Sequence, residues 1–268
     1  MVPNFHWKGL MLLLGFSPLP AVGPDMDPGP ADQAVKITII YDNYQGKKNL
    51  ETDWGFACAV ECRGEKLLFD AGQKEALYRR NAELLRVRPE AYPALFISHL
   101  HGDHTGGMAW ILDSNPAIMC YLPSDFALTL KSMGRLPAKC LSISEPVWLF
   151  GPFYSTGDDF DKFSEQGLVI KTEDGGVLIT GCGHPGVVEM VTKTKEELGI
   201  ELHTVIGGLH LLRTSDEDVK KIAEELKQLG IRRICPTHCT GDRVIELMKV
   251  SFGEGYIAGG TGTEIVIK

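Results

Sequence analysis

The sequence predicts a layered α/β (α+β) domain, and three features carry that prediction. From Val35 to the C terminus, short apolar runs alternate with amphipathic stretches, so strand and helix signals take turns. The strand signals fall into two groups, one in each half of the chain, with the helices expected on the outside of the strand layers. The 268 residues are 44% hydrophobic and 23% charged, which excludes disorder, collagen and coiled coil and leaves room for one large core over 35–268.

Residues 1–34, rich in Pro, Gly and Asp, read as an N-terminal extension outside that domain. Lys8 and the apolar run 10–14 resemble a short secretory signal, and a true start at Met26 is the other reading. Strands are expected at 35–41, 56–62 and 66–70, the last two closing on Arg63-Gly64-Glu65 as a hairpin. A helix at 74–85, a buried strand at 94–97, a short helix at 106–112 and a strand at 117–121 complete the first half. The second half has strands at 147–150, 168–171, 177–180, 204–206, 232–234 and 264–267. Its helices lie near 187–195, 216–229 and 243–252. In the second of these Val219, Ile222, Ala223, Leu226 and Leu229 form one stripe, with Ser215 as N-cap and Gly230 as the stop.

Charge and cysteine usage narrow the function classes. Lys and Arg number 27 against 35 Asp and Glu, a formal charge of −8 with no basic cluster, so nucleic acid is not an expected partner. Seven cysteines are too few and too scattered for a disulfide framework. The run 10–14 is far short of the roughly 20 apolar residues that span a bilayer. A cytoplasmic protein without stable membrane association is expected, export being the alternative, and a homo-oligomer is left open.

The informative stretch runs from Leu95 through Ser98, His99, His101, Gly102, Asp103 and His104 to Gly107. An apolar strand ends at Ser98, and three imidazoles and a carboxylate follow within six residues. Imidazole nitrogen and carboxylate oxygen suit a borderline divalent ion such as zinc, with manganese or iron as alternatives. His99 and His101 are expected on one side of the loop, while Gly102, lacking a Cβ, lets the backbone turn Asp103 and His104 toward a second ion. Scattered surface histidines are a poor reading of such a window in a chain with 8 His.

With Leu67-Leu68-Phe69-Asp70-Ala71-Gly72 before it, the His99-x-His101-x-Asp103-His104 run resembles the metallo-β-lactamase superfamily. The resemblance implies a four-layer αββα sandwich with a binuclear metal site at the sheet edges. It also implies that Asp70 braces the metal loop without binding metal. Where the superfamily usually places a bridging Asp, the strand 176–181 ends in Cys182, followed by His184. Further on come Gly207-Gly208-Leu209-His210 and Pro236-Thr237-His238-Cys239. This trio resembles the branch containing the dihydropterin-methyl aminobenzene-ribofuranosyl phosphate synthases of tetrahydromethanopterin biosynthesis.

His238, just before a helix expected near Thr240, is the best late ligand, since the helix end would favour an anionic substrate group. His184 fills the place of the missing third imidazole. Cys182 is either a thiolate ligand or an inert apolar residue. His210 is a substrate contact or a ligand. His203 and His6 default to structural roles, and Cys235 with Cys239 lacks the second half of a structural zinc site. The acidic stretch 158–166 reads as a solvated loop, with an oxygen ligand or proton shuttle as the alternative. Trp54, Trp110 and Trp148 read as core or pocket wall, and Ser98 has no nucleophile context.

These readings lead to a metal-dependent enzyme with His99, His101 and His184 on the first ion and Asp103, His104 and His238 on the second. Asp103 and His210 are the catalytic candidates. Two ions activate a shared water and polarise a carbonyl or phosphoryl oxygen, so hydrolysis of a small anionic ester, lactone or phosphoester is expected. A transferase joining a dihydropterin-methyl diphosphate to an aminobenzene ribofuranosyl phosphate is the alternative the branch implies. A non-catalytic metal-binding or redox-sensing protein is the third reading. The flavodiiron type is disfavoured because position 101 is His.

Overall fold

A computed structural model describes residues 34–158, 160 and 163–268. The N-terminal extension and His6 lie outside the described residues. The first sheet begins with β1 (Val35–Tyr41), β2 (Ala57–Cys62) and β3 (Glu65–Phe69). Arg63 and Gly64 both take positive φ, the backbone that a two-residue hairpin loop needs to match strand twist. After α1 (Glu75–Leu84) come β4 (Ala94–Phe96), α2 (Gly102–Thr105), α3 (Met108–Ser114) and β5 (Met119–Pro123). Then follow α4 (Ser124–Ser132) and β6 (Cys140–Ile143).

The second sheet is built from β7 (Val147–Phe150), β8 (Phe153–Ser155), β9 (Leu168–Thr172), β10 (Gly175–Thr180), β11 (Leu202–Gly208) and β12 (Arg233–Thr237). Its helices are α5 (Val187–Leu198), α6 (Asp216–Gln228) and α7 (Asp242–Phe252). β13 (Glu264–Ile267) returns to the first sheet beside β1. The strand orders are β13-β1-β2-β3-β4-β5-β6 and β12-β11-β10-β9-β8-β7. Pro236 is tolerated because β12 is an edge strand, where no neighbour asks for its missing N–H.

Three apolar clusters define four layers. Ile37, Ile39, Phe69 and Phe96 of the first sheet meet Phe153, Ile170, Ile179 and Ile206 of the second. The outer face of the first sheet packs Leu68 and Leu95 with Tyr78, Ile111 and Phe126 of α1, α3 and α4. The outer face of the second packs Leu178, Val205 and Ile234 with Met190, Val219, Leu226 and Met248 of α5, α6 and α7. The architecture is the αββα sandwich.

Several elements differ from the sequence reading. Instead of one helix over 106–112, α2 and α3 are separated by Gly106 and Gly107. A Cβ on Gly106 would lie 1.9 Å from the Gln73 carbonyl oxygen, so this junction is pressed against the connection between β3 and α1. Gly102 takes no left-handed backbone and a Cβ there meets nothing; the turn of α2 itself redirects Asp103 and His104. α4, β6 and β8 were not expected, being short and weakly patterned. α7 begins at Asp242, after a separate turn over His238–Thr240.

Candidate metal centre

The clustered residues sit at one edge of the sandwich, beyond the carboxyl ends of parallel strands, where strand-to-helix loops converge. Asp70 follows β3, His99 to His104 follow β4, Cys182 and His184 follow β10, His210 follows β11 and His238 follows β12. The loop after β4 is fixed from both sides. Ala71 N–H donates to the His104 carbonyl oxygen at 2.7 Å, and Gln166 N–H donates to that of Ser98 at 2.9 Å.

The structure brings the sequence-derived residues together in two sets. Donor atoms of His99, His101 and His184 lie within 4.8 Å of one another, as do those of Asp103, His104, Cys182 and His238. The His99 and His104 rings, one from each set, are 4.2 Å apart between centroids. His210 stands at the exposed rim with its ring 4.4 Å from that of His184, and it groups with Cys182 and Cys239. His203 lies apart, bonded to Thr204 and Thr172.

Each inward-facing imidazole is held by its other nitrogen. His104 Nδ1 contacts Asp70 Oδ2 at 2.7 Å, and the same carboxylate accepts from Ser98 N–H at 2.7 Å and Ser98 Oγ at 2.8 Å. His99 Nδ1 meets Ser98 Oγ at 2.9 Å. His184 Nδ1 meets Glu165 Oε2 at 2.8 Å, and His238 Nδ1 meets Asn43 Oδ1 at 3.0 Å. These contacts leave Nε2 of His99, His104, His184 and His238 for the site. His99 Nε2 and His101 Nδ1 face each other at 3.0 Å.

Residues that the sequence reading left out of the site, or weighed as a solvated loop or a pocket wall, complete this frame. Glu165 is fully buried; its carboxylate accepts from the N–H groups of Cys182, Gly183 and His184 at 2.8–2.9 Å. The solvated-loop reading is therefore wrong for it, and also for Asp158, which is buried and accepts from Ser124 N–H at the start of α4. Asp159 and Asp161 lie outside the described residues. Asp42 accepts from His238 N–H, and Asn43 donates to the His238 carbonyl. The available signal was two polar residues directly after the buried strand β1, the pattern Ser98-His99 shows after β4. Phe163 stacks on His184 at 4.2 Å and Trp54 lies 4.8 Å from His238, so aromatic rings wall the site. Trp54 is itself exposed, as is Trp148 of β7.

The electrostatics fit cation binding. Burial, then the neighbouring His104, pushes the His99 imidazole down to about 3; burial, then His238, does the same to His104, also to about 3. Both are neutral at physiological pH and carry the lone pair a metal needs. Burial drives Asp70 up to about 8. Burial also pushes Asp103 upward, but contact with His238 and the nearby His104 outweigh it, and its carboxyl falls well below the usual range. Among the described residues, the carboxyl groups of Asp70, Asp103 and Glu165 meet histidine nitrogens within 4.0 Å, and no Lys or Arg stands at that distance. His238 Nε2 is buried without a hydrogen bond, its nearest acid being Asp103 Oδ2 at 3.3 Å. Such a group is costly unless a ligand takes its lone pair.

Comparison with known proteins agrees. The family model described as metallo-beta-lactamase superfamily matches residues 59–191, which include Asp70, the histidine run and His184. The chain belongs to the metallo-beta-lactamase superfamily. Within it, the chain is 27% identical over 273 residues to the 7,8-dihydropterin-6-methyl-4-(beta-D-ribofuranosyl)-aminobenzene-5'-phosphate synthase of Methanocaldococcus jannaschii, covering 83% of this chain and 93% of that one. A ribonuclease Z of Salinibacter ruber is 34% identical over 52% of this chain and 41% of its own. Among solved structures, a metal-dependent hydrolase of the beta-lactamase superfamily superposes with a TM-score of 0.71 at 24% identity, covering 86% of this chain and 98% of that one. That last likeness bears on the fold.

Proposed function

We propose that this superfamily member is a metal-dependent enzyme that hydrolyses a small anionic ester, lactone or phosphoester at a pair of divalent ions. The observation that carries the reading is the pair of adjoining donor sets, His99–His101–His184 and Asp103–His104–His238, each within 4.8 Å. Imidazole and carboxylate donors suit zinc first, with manganese or iron as alternatives. Bound there, such ions polarise a carbonyl or phosphoryl oxygen and make water a nucleophile at neutral pH.

The chain's own residues do the rest. Asp70, Glu165 and Asn43 hold the imidazoles in one tautomer and one orientation. Asp103, held ionised and only partly buried, is placed to accept a proton from the attacking water. His210, the exposed imidazole of the rim, meets the substrate's polar group as it enters. Phe163 and Trp54 set aromatic rings beside His184 and His238.

A second reading, transfer of a dihydropterin-methyl group from its diphosphate to an aminobenzene ribofuranosyl phosphate, is favoured by the near full-length similarity to the synthase. Cys182, in place of the usual bridging carboxylate, also supports it. The two readings separate when zinc-loaded protein is assayed first on esters, lactones and phosphodiesters, then on the dihydropterin diphosphate with the arylamine. Turnover in the first panel supports hydrolysis, and condensation alone supports transfer. Intact metal content with no turnover in either assay overturns both in favour of a non-catalytic metal protein.

A further inference from the structure

Five of the seven cysteines, Cys58, Cys62, Cys120, Cys140 and Cys235, pack in or against the apolar clusters, as small hydrophobes do. Cys182 and Cys239 are equally buried yet belong to none of the three clusters. They face each other across the gap between the end of β10 and the turn after β12. The donor atoms of Cys182, His210 and Cys239 all lie within 4.8 Å of one another. Three separate loops, after β10, β11 and β12, each contribute one of these groups.

The backbone is shaped for this meeting. A Cβ on Gly208 would lie 2.8 Å from Cys239 Sγ and 2.4 Å from the Gly181 carbonyl oxygen, so only glycine leaves the sulfur its place. His210 holds φ at 53°, in the left-handed region that residues with a Cβ seldom adopt. Cys182 also reaches the other set, with its Sγ 3.3 Å from His104 Nε2.

We propose that Cys182, His210 and Cys239 form a third metal position, with two thiolates and one imidazole, that adjoins the Asp103–His104–His238 set through Cys182. Thiolate donors select borderline or soft ions, Zn2+ or Cu+, and exclude hard ones such as Mg2+. Three protein donors leave a coordination position open to an outside ligand. Binding displaces the two thiol protons to solvent. His210 ligates through one ring nitrogen and keeps the other for the substrate side. This position shares Cys182 with the Asp103–His104–His238 set, whose other donors are imidazole and carboxylate, and draws His210 and Cys239 from outside both paired-ion sets.

The test uses the full-length, metal-stripped protein titrated anaerobically with Co2+, read by absorption and by metal content. The wild type is expected to develop a thiolate-to-cobalt charge-transfer band and to bind one more ion than a variant lacking both thiols. C239S should roughly halve that band and C182S/C239S should abolish it. H210A, altered at an exposed side chain, should keep the band but require more cobalt to reach it. A wild-type spectrum with only d–d bands, a charge-transfer band undiminished in C239S, or a cobalt dependence in H210A equal to that of the wild type, overturns the proposal. The paired-ion reading is judged separately, since H101A should lose an ion while retaining the thiolate band.

Discussion

His101 is the exposed member of the first set, and no apolar cluster depends on it. His101→Ala should therefore leave the circular dichroism spectrum unchanged, remove an ion by elemental analysis and abolish turnover; full metal content with normal turnover would refute the assignment. Asp70 and Glu165 act one step back, through the imidazoles they hold. Asp70→Asn should keep the metals but weaken binding or rate by about 10–100-fold, since the amide no longer offers two acceptor oxygens to Ser98 and His104. Glu165→Gln should have an effect of the same size, because its carboxylate holds three backbone N–H groups and the His184 ring. Chelator competition measures both, and wild-type affinity in Glu165→Gln would reduce that residue to a loop support. The histidines were legible because their spacing is local. Glu165 was not, because nothing in 158–166 distinguishes a carboxylate facing water from one folded under Cys182 and His184.

At the scale of elements, the site exists because loops from both sheets leave at the same edge. The apolar alternation revealed most of the strands. It understated β11, which runs on through Gly207 and Gly208, because a pattern of side chains is silent where there are none. Those glycines let β11 approach β10 closely: Gly207 has φ at 120°, and a Cβ there would lie 2.1 Å from the Thr180 carbonyl oxygen. Gly207→Ala should cost at least about 1–3 kcal/mol, from a backbone region closed to alanine plus the clash. A urea midpoint lowered at constant slope would show it; an unchanged midpoint would mean that β10 and β11 separate without penalty.

For the whole molecule, ions bound across loops from both sheets should couple metal content to global stability. A ligand at about 100–1,000 times its dissociation constant adds about 2.7–4.1 kcal/mol, which for a domain of this size is a rise in Tm of about 5–15 °C. Stripping the protein with a chelator should lower the calorimetric Tm by that order, and zinc should restore it. Identical melting of the stripped and loaded forms would place the metals outside the folded frame. Among the described residues no helix is long and apolar enough to cross a membrane.

The sequence alone determined the layered α/β class and the first metal-binding run. Apolar periodicity and ligand spacing are both written within a few residues, so no knowledge of distant contacts is needed to read them. Asp70 was reached only through the family resemblance of its own run 67–72, because the loop it supports begins 28 positions further on. Only the tertiary structure decided that Cys182 adjoins Asp103, His104 and His238, why Asn43 and Glu165 matter, and that Cys239 faces Cys182. Asn43 lies 195 positions from His238 in the chain, and Cys239 lies 57 from Cys182. Such partnerships depend on where the packing of two sheets brings loop ends together, and no local pattern of residues records it.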